Sequence, residues 1–321
     1  MPKLALKIDV DTYRGTLVGV PRLVDILRRF DAGATFLFSL GPDHTGRAIK
    51  RAFRPGFMKK VSRTSVVAHY GLRTLMYGTL LPGPDIGRRC ADILRDVAKA
   101  GFEVGIHCWD HVKWQDGVAQ ADAAWTEREM SRAVARFRDV FGEAPRVHGA
   151  AGWQMNAHAL RLTQRLEFAY ASDCRGSGPF LPLWHAEIVA CPQLPTTLPT
   201  LDELIGADGV TVDNVHEKLL ALTGPQRDHV FTLHAELEGM KLSPVLERLI
   251  KGWRAQGYEL VSLADLAGSL DLNRLPRCEM VAGEIAGRSG TLMLQGGEFL
   301  ADCRPAPVPP PAGEVLAEMR P

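Results

Sequence analysis

Leu4-Ala5-Leu6-Lys7-Ile8-Asp9-Val10-Asp11 alternates as a β-strand does, with Leu4, Leu6, Ile8 and Val10 on one face and Lys7, Asp9 and Asp11 on the other. Two carboxylates at i and i+2 on one strand face end up close together, which is costly unless something positive sits between them. Further along, Gly105-Ile106-His107-Cys108-Trp109-Asp110-His111 closes a second apolar strand, Phe102 to Ile106. The spacing of His107 and His111 predicts a helical turn that puts both imidazoles on one side. A carboxylate plus two imidazoles makes a three-ligand site for a divalent ion with positions left open for water. That is a hydrolase centre in outline.

Working outward, strand and helix patterns alternate, which argues for an α/β chain. Val20, Leu23, Val24, Leu27 and Phe30 carry helical spacing, and a strand follows at Ala34 to Phe38. A helix from Arg88 to Ala100 stops at Gly101; Thr126 to Glu129 reads as a capping box opening a helix that ends at Gly142. Further strands are expected at Phe168–Ala171, Glu187–Ala190, Val230–His234 and Glu259–Val261, and a helix from Ser243-Pro244 to Gly257. About seven strands with intervening helices suggest a distorted or incomplete (β/α) barrel, with a doubly wound sheet as the rival. In a barrel, chemistry gathers at the carboxyl ends of strands, where Asp9, Asp11, His107, Asp173 and His234 all fall. Residues 1–300 read as one domain. The Gly-rich stretch 270–300 suits a short hairpin, and the Pro-rich residues 301–321 suit a disordered tail.

The chain has 321 residues, 46% of them apolar, and a formal net charge of +1, which disfavours general nucleic-acid binding. It opens Met-Pro-Lys and enters a strand at once, so no secretory leader is expected, and no apolar run is long enough to span a membrane. Six cysteines are scattered without a Cys-x-x-Cys, which fits a cytoplasmic protein with reduced thiols. Gly41-Pro42-Asp43-His44-Thr45-Gly46-Arg47-Ala48 mimics a phosphate loop but lacks its Lys and Ser/Thr. No Gly-x-Ser-x-Gly elbow is present for a serine hydrolase.

One segment departs from the alternation. Between Asp43 and Asp85 no acidic residue occurs, yet eight basic ones do: Arg47, Lys50, Arg51, Arg54, Lys59, Lys60, Arg63 and Arg73. Phe53, Phe57, Tyr70, Leu72, Tyr77 and Leu80 are interleaved with them. Residues 44–86 therefore read as a basic amphipathic insertion suited to an anionic membrane surface, or as a lid over the site.

With the Asp pair and His-x-x-x-His in hand, the chain resembles the polysaccharide deacetylase (NodB-like, carbohydrate esterase) superfamily. Arg146-Val147-His148-Gly149-Ala150-Ala151-Gly152-Trp153 falls where that family has its Arg-Pro-Pro-x-Gly loop, Tyr170-Ala171-Ser172-Asp173 resembles its fourth motif, and Thr232-Leu233-His234 its fifth. His69-Tyr70-Gly71, Tyr77 to Pro84 and His148 to Gln154 carry a closer likeness to the branch that deformylates a formamido-arabinose borne on undecaprenyl phosphate, in lipid A modification and cationic-peptide resistance. The family's adjacent Asp-Asp is here interrupted by Val10, and His148 replaces an Arg.

The resemblance implies a distorted barrel in which Asp11, His107 and His111 hold one divalent ion (Zn, Mn, Co, Ni or Fe), Asp9 is the general base and His234 protonates the leaving nitrogen. It gives Asp173 the task of orienting His234, and His148 that of fixing Asp9 as an imidazolium. Tyr13, Trp109 and Arg175 are candidate sugar or phosphate contacts, and backbone N–H groups from Gly149 to Gly152 a candidate oxyanion site. The implied partners are a polyprenyl phosphate-linked amino sugar and the cytoplasmic face of the inner membrane. The alternatives are a metal-dependent amidohydrolase on a soluble or other lipid-linked amino sugar and a glycolipid-binding module without chemistry.

Overall fold

β1 (Lys3–Val10) is the axis of the fold, and in the computed structural model, which describes residues 1–48, 71–224 and 227–301, it is buried from Leu4 onward. It pairs in parallel with β8 (His229–His234), with β2 (Thr35–Ser39) along its second half and with β9 (Glu259–Val261) along its first. β3 (Glu103–Cys108), β4 (Val147–His148) and β5 (Tyr170–Ala171) continue outward from β2, giving the order β5-β4-β3-β2-β1-β8 with every pairing parallel. Between β5 and β8 an irregular stretch stands in for the missing strands: Leu194 N–H donates to Ala171 O at 2.7 Å and Thr197 N–H to Val230 O at 3.0 Å. The sheet is thus a curled, incomplete barrel, as the alternation of elements had suggested.

Alternation along the strands divides the apolar residues into two layers. Ala5, Leu37, Val147, Tyr170, Leu194, Val230 and Val261 pack together inside the curl. Leu4, Leu6, Ile8, Phe36, Phe38, Ile106, Phe231 and Leu233 form the larger layer beneath the helices, among them Val20–Arg29, Ala91–Lys99, Ala123–Phe141 and Ser243–Ala255. Lys7 is the exception, a fully buried cation on the inner face.

Several boundaries shift from their sequence expectation for local reasons. The helix expected from Arg88 is two: Ile86–Arg89, capped by Asp85 accepting from Arg88 N at 3.0 Å, and Ala91–Lys99, with Cys90 outside helical geometry between them. The capping box at Thr126 and Glu129 lies one turn inside its helix, because Asp122 is the cap and accepts from Trp125 N at 2.7 Å. Glu129 is instead buried against Lys113. The strands expected at 168–171 and 187–190 shrink to two residues each, β5 and β7 (Glu187–Ile188). The 270–300 hairpin is longer than expected: β10 (Arg277–Gly283) and β11 (Leu292–Glu298) join β6 (Leu181–Trp184) and β7 in a second sheet. The middle of the basic insertion, from Lys50 to Arg63 and on to Tyr70, and the Pro-rich tail lie outside the described residues.

Candidate active site

Parallel strands share one polarity, so their carboxyl ends form one rim, and the chemistry collects there. Asp9 on β1 stands opposite His234 on β8 in register. Asp11 follows one residue beyond the end of β1. β3 runs on through Cys108, so His107 is a strand residue, while His111 is the first residue of the helix His111–Gly117, capped by Asp110 accepting from Lys113 N at 3.1 Å. The two imidazoles therefore converge from a strand and a helix, across the turn Trp109-Asp110, rather than from one helical turn as the spacing had suggested. Their rings stack with centroids 5.3 Å apart.

The donor set fits a divalent cation. One ligand atom from each of Asp11, His107 and His111 can be chosen with all three within 4.8 Å of one another. His107 Nδ1 donates to the Gly149 carbonyl at 2.6 Å, which fixes the tautomer and leaves the Nε2 lone pair turned toward Asp11 Oδ1, 3.3 Å away. His111 Nε2 is 3.5 Å from Asp11 Oδ2. Asp11 Oδ1 is buried and makes no hydrogen bond. Two acceptors facing each other in a dry site invite a cation between them. Burial pushes the Asp11 carboxyl up, but the nearby His111 and His107 outweigh it and hold the group well below the usual carboxylate range. Burial works against charging His107, and Asp9 and Asp11 overcome it, raising that imidazole.

The surroundings brace these ligands. Glu236, buried just past β8, accepts through Oε1 from Asp11 N at 3.1 Å, Thr12 N at 2.8 Å and Thr12 Oγ1 at 2.8 Å. Burial, and then Asp11, push its carboxyl far above the ordinary range. His44 Nδ1 donates to Asp110 Oδ2 at 2.6 Å, and Gly41 N–H to Trp109 O at 2.7 Å, tying the start of the basic insertion to the turn between the two histidines.

Other expected site residues are placed differently. His148 Nδ1 donates to Asp173 Oδ1 at 2.7 Å; Asp173 also takes Ala150 N–H at 2.9 Å and, through Oδ2, Gln193 Nε2 at 3.0 Å. Asp173 is therefore engaged with His148 rather than orienting His234. His148 lies beside Ile106, Met130, Ala133 and Phe168 in the helix-side layer, because the inward positions of its strand are Val147 and Gly149. It does not supply the cation expected beside Asp9. Arg175 is buried in an ion pair with Glu203 at 2.7 Å and donates to Leu198 O at 2.9 Å, which removes it from the list of free substrate contacts. Trp109 is half-buried, flanked by Arg136 and Arg132 with their guanidinium carbons 5.2 and 6.0 Å from its ring, beside an open groove of about 440 Å³. Tyr13 is half-buried, its N–H donating to Asp43 Oδ2 at 2.9 Å. The N–H groups of Gly149 and Ala150 are spent on Ile106 O and Asp173, so neither is an oxyanion donor. Lys7 and Glu236 escaped the sequence reading. Strand alternation had put Lys7 on the face of Asp9, whereas nothing local marks Glu236.

Known proteins resemble this chain over most of its length. Residues 10–171 match the polysaccharide deacetylase family. A Shewanella sediminis protein named "Probable 4-deoxy-4-formamido-L-arabinose-phosphoundecaprenol deformylase ArnD" is 39% identical over 293 residues, covering 91% of this chain and 94% of the relative. A protein of the same name from Wigglesworthia glossinidia brevipalpis is 31% identical, covering 88% and 98%. Among solved structures, a polysaccharide-deacetylase-type protein from Mycobacterium smegmatis superposes with a TM-score of 0.60 over 88% of this chain and 96% of its own, at 18% identity, a likeness of fold.

Proposed function

The chain belongs to the polysaccharide deacetylase family, and from that premise we propose that it is a metal-dependent hydrolase removing the N-formyl group of 4-deoxy-4-formamido-L-arabinose carried on undecaprenyl phosphate. The products are formate and the free amino sugar lipid, which serves lipid A modification and, through it, resistance to cationic peptides. The observation that carries the chemistry is the convergence of Asp11, His107 and His111, with Asp9 and His234 on the same rim.

Asp11, His107 and His111 would hold a divalent ion, whose Lewis acidity would activate the hydrolytic water and polarise the formyl group. Asp9 takes the water's proton; its Oδ1 is buried and makes no hydrogen bond. His234, one strand over, gives a proton to the departing nitrogen, the harder half of amide cleavage. Asp173 and His148 support the loop after β4 through the bond to Ala150 N. Tyr13 and Trp109 are the proposed sugar contacts.

Docking on an anionic membrane surface belongs to the same proposal. No helix among the described residues is long and apolar enough to cross a membrane. Leu72 and Leu80, in the described part of the insertion, are 69% and 78% exposed, and Leu17 and Val18 are exposed just past the end of β1. Cations and exposed apolar residues around a site for a lipid-linked substrate suit a peripheral enzyme on the cytoplasmic face.

The deciding experiment is formate release from the lipid-linked formamido sugar by metal-stripped protein resupplied with single divalent ions, beside Asp9→Ala. Release that needs the ion and vanishes in the variant is expected. Cleavage of only an acetylated or a soluble sugar would replace this reading with the broader amidohydrolase, and silence on all substrates would leave a binding module.

A further inference from the structure

Lys7 is a fully buried ammonium inside the barrel, a placement that costs several kcal/mol unless the charge is matched. Its surroundings form a built cradle. Nζ donates to Ser172 O at 3.0 Å, lies 3.5 Å from Asp9 Oδ2, and stands 5.4 Å from the centre of the Trp153 ring. A Cβ at residue 149 would come within 3.1 Å of Lys7 Cε and 3.4 Å of Nζ, so the glycine there leaves the room the side chain needs. In register, Lys7 faces Thr232 and Asp9 faces His234, which sets the ammonium one step below the carboxylate on the same inner face. His148 is turned to the helix side and bonded to Asp173.

We propose that Lys7 is the positioning residue for Asp9. By holding Oδ2 on the barrel side, the ammonium leaves Oδ1, which makes no hydrogen bond and lies 3.7 Å from His107 Nδ1, as the oxygen that takes the water's proton. The inference rests on Asp9 being the base of the deformylase. It assigns Lys7 no proton-transfer step and no contact with substrate.

The test uses the metal-loaded full-length protein as Lys7→Met, Lys7→Arg, Asp9→Asn and the Lys7→Met/Asp9→Asn double variant. Formate release gives kcat and KM, competition with a chromophoric chelator gives the metal Kd, and crystal structures of wild type and Lys7→Met give the Asp9 rotamer. We expect Lys7→Met to lower kcat about 100-fold, the usual scale for a misplaced reacting group, with KM and metal Kd nearly unchanged, and Lys7→Arg to recover part of the loss. In Lys7→Met the Asp9 carboxylate turns away from its wild-type position. The double variant, which leaves neither buried charge unmatched, should be no slower than Asp9→Asn. A folded Lys7→Met with wild-type kcat, an unmoved Asp9 in its crystal structure, or a double variant slowed well below Asp9→Asn overturns the inference. If wild type releases no formate with any ion, the deformylase reading falls, and the Asp9 rotamer still decides whether Lys7 positions it.

Discussion

Gly149 is confined from two sides, since a Cβ there would stand 2.3 Å from Leu37 Cδ1 as well as against Lys7, while its carbonyl holds His107. Gly149→Ala should therefore cost about 1–3 kcal/mol in denaturant unfolding and also weaken metal binding. A metal titration that matches wild type would break that link. Arg175→Met removes one of the two cations on buried Glu203 and leaves Arg288, so a loss of about 1–3 kcal/mol is expected with KM unchanged; a raised KM would return Arg175 to the substrate. Glu238 gives a pH signature. Burial pushes its carboxyl up to about 7, against the opposing pull of His234. Folding then favours the protonated form, so the stabilisation is full below about pH 4.5 and is lost as the pH rises toward 7. The Tm of Glu238→Gln relative to wild type should rise across that window, and a constant difference would refute the shift. At this scale Asp9, Asp11, His107, His111 and His234 could be found in the sequence because each ends or follows an alternating strand. The fate of Arg175 could not, because its partner Glu203 arrives from a separate capped turn, Thr200 to Leu204.

Elements were legible where a pattern was long enough to repeat. β1, β2 and the helix Ala123–Phe141 declare themselves over many residues, whereas β4 and β5 have two residues each and no period to show. Those short strands are held by their neighbours, His148 opposite Ile106 and Ala171 opposite His148. The error of one turn at the start of Ala123–Phe141 has a chemical cause: both Asp122 and Thr126 are good caps, and the aspartate comes first. Asp122→Ala should cost about 1 kcal/mol of stability, read by thermal melting; a melt identical to wild type would show that Asp122 is not the cap.

For the molecule as a whole, the incomplete barrel could be anticipated from alternation, but its closure could not, because the stretch from Leu194 to Thr197 bridges β5 and β8 by backbone bonds that carry no side-chain signal. The parallel sheet also has a consequence in time. A ribosome makes Asp11, His107 and His111 well within the first half of the chain, and the carbonyl of Gly149 soon after. The proposed acid His234, and Glu236 that grips the Asp11 loop, come only with β8, which slots in beside β1. The ion's seat is thus written early and its clamp late, so a chain still being synthesised can own the ligands without owning the reaction.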